Sequence, residues 1–571
     1  MTHATHPNGT VRAHRDDTTR YLCAAAHMDP DYADSAIREF LVEDTRPVPS
    51  SPGVDAAAVL GEAVAARTRA KLRDLGLVLL AVGVVFLAPA AMLVAWVALA
   101  VVAAVPAAIM AAKQRTSPAR AGVYVLVTLV VVVLLAYLGP RLLVALTDDP
   151  YLFESTPDYY YGYPEPDTTA TTVGAVGVVA LMFLVLLADR FVVWRHLNER
   201  FWPNRLTRLT AWLRDRPVFQ FSSDRQLTQL ARYANPNPTM ADGEAGGEPV
   251  PLVVYRDFKP FVGAGTPQDP WSIAVPLEEL PDAEPTAELT TESLYAGIHE
   301  EITSLRAASA LAPGRRLGEL RLGEVVIVSA DELIDHLAEP SAVDFLWRPG
   351  VAPYTMIRRA RAESIRTDPL EWARYFQCYQ VETWDRDLVV TVFVHVAVGR
   401  GALYVEWTPC VLRPIRRKYR KIDEMSRSPL RPAGRALVDL LALPVSLPGR
   451  LVRLLSFLRP LPQARGIISA DMYGSAASLR ELAADRTVHN YFQLADVDRY
   501  LKMMESRLIL AVSRRMRAAG YSPASFDAQA AAVVNNNVQI AGSVGGDVVV
   551  GTGNKVGDTT TTPREARAGK E

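Results

Sequence analysis

The sequence predicts a bundle of four membrane-spanning α-helices joined to a cytoplasmic α+β domain that contains an antiparallel β-meander. Three observations predict it. Residues 75–112 form one uncharged run of 38 positions. Two further uncharged cores lie at 121–138 and 173–188. Residues 374–412 alternate β-branched and other side chains between short polar and glycine turns.

The first run is too long for one crossing. At 1.5 Å per residue it would make a helix of roughly 57 Å, against a hydrocarbon core of about 30 Å. Pro89, within Ala88-Pro89-Ala90-Ala91, marks a turn. Basic residues flank both ends: Arg67, Arg69, Lys71 and Arg73 before it, Lys113, Arg115 and Arg120 after it. Basic flanks stay in the cytoplasm, so the reading is a hairpin with spans at 75–91 and 93–112. One long tilted helix is the alternative. The third and fourth spans are 121–138 and 173–188. Between them, 142–172 holds Asp148, Asp149, Glu154, Asp158, Glu165 and Asp167 and no Lys or Arg, which suits an outside loop. This places the protein in the cell (inner) membrane, multi-pass, with both termini cytoplasmic. No span core carries a charge, which speaks against a transporter or channel. Ala100, Ala104 and Ala108 recur every four residues and would let helix backbones approach.

Composition narrows the partners. The chain has 571 residues, half of them hydrophobic, and a net charge of −1, so no global basic field points to nucleic acid. Three cysteines, Cys23, Cys378 and Cys410, without a CxxC pair, predict free thiols and neither a disulfide framework nor a structural metal site. Residues 1–66 are polar and are expected to be largely disordered; His3, His6 and His14 have nothing to orient them toward a metal.

Residues 206–520 form the cytoplasmic domain. Strands are expected at 252–256, 271–277 and 324–328. The Gly263-Ala264-Gly265 loop lacks both the third glycine of a dinucleotide fingerprint and the Lys-Ser/Thr of a P-loop, so it is a turn. A helix at 292–308 contains His299-Glu300-Glu301-Ile302-Thr303. Thr303 stands where a zinc-protease helix needs its second histidine, which leaves a solvated polar face. Ser329 and Glu332 would cap the helix that bears His336. In the meander, Val390, Val392, Val394, Val396 and Val398 share one face, taken as the core face. His395 lies on the other, opposite Glu382 or Glu406, and with Cys378 has no evident catalytic partner. An amphipathic helix spans 497–519, ending at Gly520.

Arg413, Arg416, Arg417, Lys418, Arg420 and Lys421 cluster within nine positions. Beside a membrane the nearer partner for them is anionic lipid, and the adjoining leucine-rich stretch makes 413–461 a membrane-surface segment. In the tail, 521–571, Val538, Val544, Val550 and Val556 are six residues apart within a repeat over 535–558. Such hexads suit β-turn coils that need neighbours to bury their aliphatics. The tail resembles the Asn/Gly/Val repeat tails of bacterial regulatory and conflict-system proteins, and the whole chain resembles multi-pass membrane proteins of actinobacterial type. The first resemblance implies assembly through the tail, with a protein partner or another copy. The expected function is a membrane-anchored interaction, scaffold or sensor module without a cofactor. A membrane-bound hydrolase or transferase with a site in 252–412 is the alternative.

Overall fold

The computed structural model describes residues 17–87, 168–201, 228–231, 248–281, 284–346, 348–425, 428–456 and 468–536. The chain divides into two compact units. A helical unit gathers residues 1–238, 350–352 and 415–485, and a sheet unit gathers 239–349, 353–414 and 486–571.

The helical unit begins with α1 (Asp17–Met28), α2 (Pro30–Ile37), α3 (Ala56–Leu87) and α4 (Thr168–Arg200). The sheet unit follows with β1 (Val250–Tyr255), β2 (Thr266–Pro267), β3 (Trp271–Pro276), α5 (Thr291–Thr303), β4 (Arg321–Ser329) and α6 (Ala330–Asp335). It continues through β5 (Met356–Ile357), α7 (Arg359–Thr367), β6 (Ala373–Thr383), β7 (Leu388–Gly399) and β8 (Ala402–Leu412). The helical unit resumes with α8 (Arg417–Arg420), α9 (Leu430–Leu441), α10 (Leu443–Leu455) and α11 (Leu479–Ala483). Helices α12 (Tyr491–Ala518) and α13 (Ala524–Asn536) complete the sheet unit.

The eight strands form one mixed sheet in the order β2-β8-β7-β6-β4-β1-β5, with β3 also paired to β8. β6, β7 and β8 run antiparallel, as their short turns require, and β1 pairs with β4 in parallel. The β6–β7 turn holds Trp384, Asp385 and Arg386 in the left-handed region. Trp384 Nε1 donates to Asp496 Oδ2 and Arg386 pairs with Glu382, which offsets part of that strain. β7 is buried on both faces, not only on its valine face. Phe393 packs with Phe261, Phe376, Val325 and Cys410 beneath the loop after β1. That loop approaches so closely that a Cβ on Gly265 (φ +95°) would lie 2.2 Å from the Val411 carbonyl oxygen.

The four-span fold class is corrected. Among the described residues one helix is long and apolar enough to cross a membrane, Val173–Arg200 within α4. Of the four expected spans, 93–112 and 121–138 lie outside the described residues, as do residues 142–167 of the expected outside loop; its last five residues, 168–172, belong to α4. The uncharged runs measure hydropathy, which does not by itself make a crossing. Arg67, Arg69, Lys71 and Arg73 lie inside the continuous helix α3, and all three arginines face carboxylates. The multi-pass topology has no support, and the described chain is mainly an α+β sheet unit and a helical unit.

Residues 17–66, expected to be loose, are folded. Tyr21, Leu22, Ile37, Phe40, Leu60, Phe201, Tyr419 and Leu479 form one core. Buried Arg20 donates to the Phe201 carbonyl and to Asp423, a partner far along the chain that polar composition does not reveal. Residues 415–485, assigned from sequence to the domain that holds the sheet, belong to the helical unit.

Candidate functional site

Two helices build the site. On α3, Glu62, Ala66, Arg69 and Arg73 recur at helical spacing and so share a face. On α4, Asp189, Val193 and His196 do the same. The helices meet antiparallel: Glu62 reaches His196, and both Arg69 and Arg73 reach Asp189. Beyond this polar stretch the same pair becomes apolar, with Leu77 and Val84 packed against Met182, Leu186 and α9's Ala436 and Leu440.

At one end lies a buried network. His27 Nε2 is 2.7 Å and His196 Nε2 is 3.1 Å from the same oxygen, Glu62 Oε2. The Glu62 and His27 side chains are 1 % and 4 % exposed. The nitrogens and the carboxylate oxygen lie within 4.8 Å of one another, the donor set of a two-histidine, one-carboxylate metal site. The hydrogen-bond polarity gives a different reading. Arg69 can only donate, and its Nη1 lies 3.0 Å from His27 Nδ1. His27 Nδ1 therefore accepts, and Nε2 carries the proton given to Glu62. A metal at Nε2 would move that proton to Nδ1, facing Arg69. As arranged, the trio is a proton-ordered chain, Arg69 to His27 to Glu62, with His196 donating from the other side. Burial pushes the His27 pKa down to about 4, against the opposing pull of Glu62. Burial works against the Glu62 carboxylate, but hydrogen bonds from His196 and His27 outweigh it and hold its pKa well below the usual range.

Beside the network opens a cavity of about 220 Å³. Seven basic side chains line it against three acidic ones, Asp34, Asp74 and Asp189. Asp74, 3 % exposed, receives Arg73 and Arg450, and Arg453 lies 3.7 Å away. Asp189 receives Arg69 and Arg73. Burial lowers the pKa of Arg69 and of Arg450. Burial opposes Arg73 too, but Asp189 and Asp74 outweigh it and raise its pKa.

The residues singled out from sequence lie elsewhere. Arg413 donates to the Arg486 carbonyl in the sheet unit. Arg416 donates to the Ala484 carbonyl, and Lys418 pairs with Asp29, which also accepts from Tyr419. Arg420 lies over the Tyr21 ring, and Arg417 and Lys421 are exposed. The structure thus uses part of this cluster to tie α8 to α1 and α2. Val538, Val544, Val550 and Val556 lie outside the described residues. His395, opposite Glu406, is buried, and its Nδ1 donates to the Tyr375 carbonyl. His299 is half-buried on α5, whose Glu300 and Glu301 pair with Arg515 and Arg514 of α12. Ser329 makes no side-chain capping hydrogen bond; capping boxes are formed instead by Thr290 with Ser293 and by Ser478 with Glu481. The cavity and the network were not foreseen, because, adjacent Arg73 and Asp74 aside, their partners lie 33 to 379 residues apart. Their one local signal was the helical spacing of Glu62, Arg69 and Arg73.

Comparison with curated proteins and with solved structures gives no match. A family model, that of an AbeC-like domain, matches residues 270–550, just under half of the chain. The match runs from β3 through the sheet unit, takes in α8 to α11 of the helical unit and ends in the tail, so residues 270–550 hold an AbeC-like domain.

Proposed function

We propose that the chain is a membrane-associated sensing and interaction module, docked through the apolar outer surface of its helical unit. One observation carries the reading. Large apolar side chains stand outward and exposed on α3 (Leu75, Leu79, Val82), α4 (Val173, Val176, Leu181, Leu184) and α9 (Leu430, Leu437, Val438). Only 11 % of the most apolar window of α4 is buried, whereas the core helix of a globular protein is mostly buried. Water does not favour such a surface, and lipid does. Charge complements it: on α9, Arg431 and Arg435 are exposed beside Leu437 and Val438, the pattern of a helix lying among lipid headgroups. The hexads of the tail supply the interaction part of the proposal, through Val538, Val544, Val550 and Val556.

The test is fractionation of cells that make the full chain, with salt and alkaline-carbonate washes of the membranes. Retention in the membrane pellet through both washes is expected. Recovery of the chain in the wash supernatants would contradict docking through apolar surface.

A further inference from the structure

Among the described residues, the cavity of the helical unit is lined by more basic than acidic side chains. Two buried carboxylates, Asp74 and Asp189, are shared among four guanidiniums, those of Arg69, Arg73, Arg450 and Arg453. Lys71 lines the same space, and Arg67 reaches Asp34 from its edge. Among the described residues, counter-charge from outside the lining is small: Asp439 holds Arg190, and Glu62 faces the histidines. Surplus charge held out of water is costly unless a counter-ion joins it. The surplus is also of one kind. Guanidinium forks match the paired oxygens of a phosphate, and a phosphate monoester brings close to two negative charges at neutral pH. The cavity, at about 220 Å³, is smaller than the roughly 300–1,000 Å³ of pockets that enclose whole drug-sized ligands. A space of that size has room for a phosphate group, with an ester-linked remainder left outside.

We propose that this cavity binds the phosphate group of a phosphate ester, held by the guanidiniums of α3 and α10 together with Lys71. Two sources supply that chemistry. The cavity lies where the charged stretch of α3 gives way to Leu75, Leu77 and Leu79 and where α4 passes from Leu187 to Asp189. If the apolar surface docks in lipid, this is headgroup depth, and phosphatidic acid fits. A soluble phosphate monoester fits equally and does not depend on membrane docking.

The test uses the full chain in neutral detergent, titrated with glycerol phosphate by calorimetry, and separately its flotation on phosphatidylcholine vesicles with and without phosphatidic acid. The variants are Lys71→Gln and Arg453→Gln, both at partly exposed positions, whose melting temperatures are expected to match the parent. Glycerol phosphate binding that each variant weakens at least tenfold supports a soluble source. Phosphatidic-acid-dependent flotation that each variant weakens supports a lipid source. Either result upholds the phosphate site, and the first does so even if the chain never floats. Binding of neither probe overturns the proposal. So does binding that both variants leave unchanged, since the charge then acts from elsewhere on the surface.

Discussion

The two units bury opposite things. Among the described residues the helical unit buries eight Arg, Asp and Glu side chains: Arg20, Glu43, Arg46, Glu62, Asp74, Asp189, Arg450 and Arg480. The sheet unit buries two, Glu382 and Asp496, and fills its interior with Trp407, Tyr375, Tyr379, Phe393 and the valines of β7. Apolar packing stabilises a fold at least as well as a buried ion pair, which must first offset its own desolvation. The sheet unit therefore looks selected for packing. The helical unit holds more buried charge than packing requires; three of the eight, Asp74, Asp189 and Arg450, line one cavity, and that is where a function is to be sought.

The largest effect that sharpens this contrast is expected from Asp74→Ala. It leaves Arg73 and Arg450 without a shared partner in a buried place, and should cost about 3–5 kcal/mol, read as a fall in the melting temperature of the full chain. A loss below about 1 kcal/mol would mean that water reaches these groups and that the contrast between the units is overstated. In the sheet unit the matching change is Leu403→Ala, a fully buried position on β8, expected to cost about 3 kcal/mol through the cavity it leaves.

The pH dependence comes next. Unfolded His27 titrates near 6.5, while burial holds the folded group down to about 4. Between these values the unfolded chain binds a proton that the folded chain does not. Stability is therefore complete above pH 6.5 and falls as the pH drops toward 4, by up to about 3 kcal/mol. The Glu62 shift acts in the same direction at lower pH, because its folded carboxyl also resists protonation. His395 in the sheet unit is lowered by burial as well, so the two units are separated with variants. His27→Gln should flatten the acid limb more than His395→Gln, and equal flattening would break the contrast. The smallest effect is expected from Asn490→Ala, which removes the side chain that accepts from Gln493 N at the start of α12, for about 1 kcal/mol.

How much of this was legible follows from range along the chain. The meander was legible because Asp385-Arg386-Asp387 and Gly399-Arg400-Gly401 are local turn chemistry and a period of two is a local pattern. That period gave the two faces of β7 but could not show that Phe261, from a loop before β2, covers the second one. Helices α1 and α2 were hidden because Arg20 and Asp29 look solvated until Asp423 and Lys418 arrive from some 400 residues away. The same distance hid the cavity: Asp74 and Arg450 are 376 residues apart. The four-span reading failed because it took uncharged length for crossing and read Arg67, Arg69 and Arg73 only as a cytoplasmic flank, when they lie within a helix that begins at Ala56 and face carboxylates.

The most direct test of the account compares the two units in one experiment. In a Cys378→Ser background, with Cys23 and Cys410 buried, a polarity-sensitive fluorophore is attached at Leu437→Cys on α9 or at Ser272→Cys on β3, both exposed positions. The full chain is then reconstituted in vesicles that contain brominated lipid. The account predicts a blue-shifted, strongly quenched signal at 437 and an unquenched, water-like signal at 272. Equal signals at both positions, or no quenching at 437, would contradict the claim that the helical unit docks in lipid.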